Sequence, residues 1–135
     1  MAGFKLKVTP EMESLTQVCV ENSKMDPSLY GKYDVKRGLR DVNGKGVLAG
    51  LTQISSICST DVVDGKTVPC EGRLYYRGYD IHELTQGFLR EQRFGFEEVT
   101  YLLLFGELPT AKRLENFTNL LSEYRTLPPS FVRDI

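Results

Sequence analysis

The single histidine of this 135-residue chain is His82. To act as a general acid or base it needs an orienting partner and a reacting group within hydrogen-bond reach. The sequence sets it two residues after Asp80 and beside Glu83, and marks neither partner. An exposed residue in the first turn of a helix is the simpler reading. The three cysteines, Cys19, Cys58 and Cys70, form no CxxC pair. A structural zinc site normally takes four Cys or His ligands at tight spacing, so the spacing speaks against a metal. An odd number of cysteines with no secretory signal fits reduced thiols in the cytosol. There they serve as small, partly buried hydrophobes.

Four arginines fall in one stretch: Arg37, Arg40, Arg73 and Arg77. Guanidinium groups bind phosphate and carboxylate bidentately, so together they could form an anion site. Spacing alone favours scattered surface charge instead. Gly44-x-Gly46-x-x-x-Gly50 resembles a phosphate loop only superficially. It lacks the GxGxxG-to-helix arrangement of dinucleotide sites and the GxxxxGK[ST] pattern, and a strand-like run follows it. The Asn43-Gly44 pair is explained by a turn. Asp41, Asp61, Asp64 and Glu71 read as turn residues, and no carboxylate pair has helical spacing suited to acid/base work.

The elements that must position these groups divide the chain into an arm over 1–36, a hairpin region over 37–79 and a helical segment over 80–135. In the arm, Thr9 caps a helix, Pro10 suits its first turn, and Glu11 and Glu13 favour its positive end. Met12, Leu15 and Cys19 share one face, and the pattern ends near Asn22, before Asp26-Pro27. The narrow apolar stripe predicts an arm packed against something larger. In the middle region Asn43-Gly44 and Asp64-Gly65 mark two tight turns between extended pieces. Leu51 to Ile57 and Arg73 to Arg77 are further strand candidates. So little sheet is expected to lie on a helical body.

From Asp80 onward the reading is helical. Asp80 with Glu83 suggests a capping box, and Tyr79 with Leu84 a hydrophobic staple. Ile81, Leu84 and Phe88 form the inner face. A second helix starts after Gly95, with Glu97 and Glu98 in its first turn. Its end, Tyr101 to Phe105, is apolar on every side and must be covered all round. Gly106 and Pro109 stop it. Thr110 caps a third helix with Leu114, Phe117, Leu121 and Tyr124 inward and Lys112, Arg113, Glu115 and Glu123 outward. After Pro128-Pro129, residues 130–135 read as the opening turn of another apolar helix, which predicts a truncated chain. Apolar surface is expected around Leu102 to Phe105 and Phe131 to Ile135.

Composition bounds the rest. The chain is 41% hydrophobic and 26% charged, as a soluble domain is and a disordered chain is not. A net charge of -1, from 17 basic and 18 acidic residues, offers no field for nucleic acid or an acidic membrane. The amino-terminal residues carry no apolar run of a signal peptide, and Tyr101 to Phe105 is far too short to span a bilayer. The fold class is therefore mainly α: a helical bundle segment with small β-hairpins.

Two stretches say more. RGLRDxxGxGVLAGLTxIS from Arg37 to Ser55 and GRLYYRGYDI from Gly72 to Ile81 resemble the amino-terminal hairpins of bacterial citrate synthases. FEEVTYLLLFGELPT from Phe96 to Thr110 resembles that family's next helix and turn, and LPPSFV from Leu127 to Val132 the approach to the following helix. The resemblance implies the amino-terminal part of the large domain of a nearly all-α, cytoplasmic homodimer. Such enzymes condense acetyl-CoA with oxaloacetate and hydrolyse citryl-CoA. An aspartate deprotonates the acetyl methyl group, one histidine stabilises the enol, and another polarises the oxaloacetate carbonyl. No residue here matches those catalytic groups, and His82 lies outside any catalytic motif. The resemblance therefore implies no catalytic residue, no bound metal and no covalently bound cofactor in this segment, and an inactive piece on its own. It assigns one binding role, to Arg40, which aligns with an arginine that reaches the CoA phosphates. A 2-methylcitrate synthase using propionyl-CoA, or a stand-alone helical interaction module, are the other readings.

Overall fold

The computed structural model describes residues 7–36, 38–41, 43–44, 46–125, 127 and 131. Arg37 and the expected helix start over 130–135, apart from Phe131, lie outside the described residues. Five helices and one small sheet follow in the order α1 (Pro10–Asn22), α2 (Ser28–Lys32), β1 (Ser55–Val63), β2 (Lys66–Tyr76), β3 (Tyr79–Asp80), α3 (Ile81–Arg90), α4 (Phe96–Phe105) and α5 (Ala111–Glu123). The mainly α fold with small hairpins is the one expected from the sequence.

Helix ends sit where the local chemistry sets them. The Thr9 hydroxyl accepts from Met12 N–H at 3.3 Å, and the Thr110 hydroxyl from Arg113 N–H at 3.3 Å, each satisfying a donor left over by the first turn. Asp80 caps α3, but its carboxylate takes His82 N–H at 2.8 Å, and no bond from the Glu83 side chain closes a capping box. Gly106 ends α4 at φ 81°, the left-handed conformation that spares glycine a Cβ clash. Helix α2 has no counterpart in the sequence reading. Asp26 starts it by accepting from Ser28 N–H at 2.9 Å.

The sheet is antiparallel in the order β1-β2-β3. Asp64 and Gly65, at φ 51° and 73°, form the expected two-residue turn between β1 and β2. Arg73 to Tyr76 is not a separate strand but the end of the 11-residue β2. Arg77 and Gly78, at φ 50° and 89°, turn the chain again, so that Tyr76 pairs with Tyr79. Leu51 to Ile54 lies outside β1. The Asn43-Gly44 turn is not flanked by strands among the described residues. It carries one isolated bridge, Arg40 with Gly46, and positive φ falls on Gly44 and not on Asn43. The hairpin also does not lie flat on the helices. Its root at Leu74 to Arg77 is half-buried, whereas Thr60 to Thr67 is exposed on both faces.

The core joins α1, α4 and α5. Tyr101, Phe105 and Phe117 form an aromatic triad with ring centroids 4.5, 5.4 and 5.7 Å apart, two of the three pairs edge-to-face. Leu15 and Cys19 of α1 and Leu121 of α5 pack against it. This is the larger body the arm was expected to meet. Leu102 is fully buried, with 0% exposure, but Leu104 is 43% exposed, so α4 is not covered all round. The expected exposed patch over Leu102 to Phe105 is thus reduced to Leu104 and part of Leu103. Phe88 lies against Gly95, where a Cβ would come within 2.4 Å of its ring. That close approach brings the end of α3 onto the start of α4.

Candidate functional site

Of the four arginines that could have formed an anion site, the described ones, Arg40, Arg73 and Arg77, are distributed over different tasks. Arg77 holds its positive φ at the turn after β2, where its N–H donates to Ile54 O at 2.9 Å. Its guanidinium reaches the carboxyl end of α4. There Nε and Nη2 donate to Leu103 O at 3.2 and 3.0 Å, and Nη1 reaches Asn22 O at 3.5 Å. The neighbouring carbonyls are satisfied too. Gly106 N–H donates to Leu102 O at 2.9 Å, and Asn22 Nδ2 to Phe105 O at 2.7 Å. A helix leaves its last carbonyls without intrahelical donors and with partial negative charge. Here a cation from the sheet and an amide from α1 supply what is missing. Arg77 is therefore a structural clamp joining sheet, α1 and α4.

Arg73 lies on the exposed hairpin, 3.8 Å from Asp61. Arg40 is exposed at the start of the Asn43-Gly44 turn, where its Nη1 donates to Gly44 O at 2.9 Å. That bond uses one of five guanidinium donors and fixes the base of the turn. Glycines 44, 46 and 50 stand in open turn backbone that no helix follows, so the turn reading of that pattern holds. His82 is exposed in the first turn of α3, where its backbone N–H bonds the cap.

The structure brings together one group of residues that the sequence reading kept apart. Between the pairs Cys58 with Arg73 and Thr60 with Pro69 the register shifts, so Ser59 alone opposes Cys70, Glu71 and Gly72. At this bulge the Sγ atoms of Cys58 and Cys70 and a carboxylate oxygen of Asp61 all lie within 4.8 Å of one another. Cys58 Sγ also donates to Thr60 O at 3.2 Å. Partial burial pushes the Cys70 thiol up, and the Asp61 carboxylate and Cys58 add to this, while Arg73 opposes them. No CxxC spacing announces the cluster. The only signal in the sequence is a cysteine on each side of the Asp64-Gly65 turn.

A cleft of about 320 Å³ lies beside the Arg77 clamp, lined by Met25, Tyr30, Leu51, Ile54, Leu103 and Leu104 among others. Its walls are mainly apolar, and three of the five guanidinium N–H groups of Arg77 are already engaged. Among the described residues no helix is long and apolar enough to cross a membrane.

The family described as "Citrate synthase, C-terminal domain" matches residues 38–135. The chain is 35% identical over 98 residues to 2-methylcitrate synthase 1 of Corynebacterium glutamicum, covering 73% of this chain and 20% of that protein. It is 36% identical over 94 residues to a citrate synthase of Haloferax volcanii, covering 70% and 19%. It is 32% identical over 111 residues to a 2-methylcitrate synthase of Mycobacterium tuberculosis, covering 82% and 23%. The matched part thus spans about a fifth of the length of each of these relatives. The family match takes in the Arg40 turn, the YRGYD clamp and α4 with its Gly106 stop, the elements that carry the resemblance in the sequence, and α5 as well. The chain belongs to the citrate synthase family.

Proposed function

We propose that the chain is the amino-terminal scaffold of a citrate synthase, an acyltransferase that condenses acetyl-CoA with oxaloacetate to citrate and CoA in the tricarboxylic acid cycle. In this reading the enzyme is a cytoplasmic homodimer with small-molecule substrates, and the residues that do the chemistry lie outside this segment. The observation that carries it is the continuous family match over 38–135, set beside the placement of His82. An enol-forming condensation needs several convergent acid, base and electrophilic groups. The one histidine here faces solvent at a helix start, with Asp80 already engaged as a cap.

Arg40 is the residue we assign to the CoA phosphates. Its guanidinium is exposed, and among the described residues it donates to Gly44 O, which leaves further donors for an anion. The test is a thiol-release assay with oxaloacetate and either acetyl-CoA or propionyl-CoA. The 135-residue chain alone should give no release above the blank, and measurable turnover would overturn the scaffold reading. In the active enzyme that contains this segment, Arg40→Gln should raise KM for acetyl-CoA by about tenfold or more while kcat holds, as the roughly 1.5–3 kcal/mol of one hydrogen bond to a charged group implies. An unchanged KM removes the assignment. Preference for propionyl-CoA would move the reading to a 2-methylcitrate synthase, a name that several relatives carry.

A further inference from the structure

We propose that Cys58, Cys70 and Asp61 form a binding site for a thiophilic divalent cation of the zinc class, clipped across the β1–β2 hairpin. The argument begins with strand parity. Side chains alternate faces along a strand, so Cys58 and Asp61, three residues apart, would ordinarily point to opposite sides of β1. Asp61 pairs with Val68, and Cys70 is two residues beyond Val68, so regular pairing would put Asp61 and Cys70 on one face and Cys58 on the other. The register shift between Cys58 and Thr60 breaks the alternation and gathers all three ligand atoms within 4.8 Å. Bulges re-aim side chains in this way and recur beside functional groups.

The donor set then selects the ligand. Two sulfurs and one carboxylate oxygen suit a soft to borderline ion with tetrahedral preference, leaving a fourth position for water. Ligand atoms around such an ion, at metal–ligand distances of about 2.0–2.3 Å, stand roughly 3.5–3.8 Å apart, which small rotamer changes from the present spacing reach. Charge closes as well. Two thiolates and a carboxylate carry three negative charges, the ion two positive, and the Arg73 guanidinium, 3.8 Å from Asp61, one more. Both cysteines are half-buried, whereas Asp61 is exposed, so an ion can enter from solvent. Both thiols are free in this structure, and Asp61 offers a third ligand atom beside them that a disulfide would not use. The inference is independent of the enzymatic reading.

The experiment is anaerobic titration of the reduced protein with Co²⁺ and then Zn²⁺, with the thiols counted beforehand. Co²⁺ should give a sulfur-to-metal charge-transfer band at a stoichiometry of one, and Zn²⁺ should displace it. Cys58→Ser and Cys70→Ser should each abolish the band. Each should also weaken Zn²⁺ binding, measured against a chromophoric chelator, by more than the roughly 10–100-fold that loss of an outer-shell partner costs. Asp61→Asn should keep the band with weaker binding. Because all three positions lie on the exposed hairpin, far-ultraviolet circular dichroism should match the parent. Three results overturn the proposal: no thiolate band, binding unchanged in both serine variants, or a Cys58–Cys70 disulfide whose reduced form takes up no metal.

Discussion

Arg77 shows how far a residue's type can mislead about its task. In the sequence it is one of four arginines in a stretch that could bind an anion. In the structure its guanidinium is spent on carbonyl oxygens, and only its place in a turn beside the end of α4 reveals that. A non-glycine residue at φ 50° costs of order 1 kcal/mol, so its bonds must outweigh a backbone strain. Arg77→Ala relieves none of the strain and leaves Leu103 O without its donor. The expected loss is about 1.5–3 kcal/mol of folding stability, the range for hydrogen bonds to a charged group. Arg77→Lys should recover only part, since an ammonium cannot present two donors in one plane. A urea denaturation midpoint decides it. A change within about 0.5 kcal/mol, as for ordinary surface charge, would refute the clamp.

At the scale of elements, much was legible because the signals are local. Thr9, Asp80, Thr110 and Gly106 each act on backbone groups within four residues, and each ends its helix as the sequence predicts. What escaped depends on distance or on neighbours. The Arg77-Gly78 turn is hidden because arginine is a poor marker of positive φ, so the sequence alone divides β2 and shows no β3. Helix α2 is one short turn with no apolar period to read. The metal-like cluster depends on a bulge that no spacing rule shows. Helix α4 is the element on which the remainder depends, because its apolar run supplies Tyr101, Leu102 and Phe105 to a core of only five buried hydrophobic side chains among the described residues. Leu102→Ala would leave a cavity with little around it to collapse, at a cost of about 2–5 kcal/mol. Against a total stability of about 5–15 kcal/mol, that is a large fraction, and the urea midpoint should fall in proportion. A loss under about 1 kcal/mol would mean that α4 is not the keystone.

At the scale of the molecule, surface area poses the sharpest question. Large apolar side chains are also exposed outside the two stretches that the sequence marked. Leu102 and Phe105 are covered. Leu89, Phe94 and Phe96, between the end of α3 and the start of α4, are 65%, 92% and 69% exposed. Glu91, Arg93 and Glu98 rim the same corner, where Arg93 bonds both glutamates, so the apolar residues sit beside a polar, ion-paired edge. Exposed apolar side chains beside a polar rim are a usual feature of protein–protein contacts. In the absence of another partner, a second copy is the surface available to cover it. The chain should therefore self-associate as its concentration rises, and light scattering should give a mass above 15.3 kDa. Replacing Phe94 and Phe96 together by Ser removes apolar area without touching a buried residue, so the association constant should fall while the helical signal stays. Buried apolar area contributes about 25 cal/mol per Å², so burying even 100 Å² of it contributes roughly 2.5 kcal/mol, a change of more than tenfold in the constant. A strict monomer at high concentration, or association that the double variant leaves unchanged, would show that the corner around Phe94 is not the surface that seeks cover.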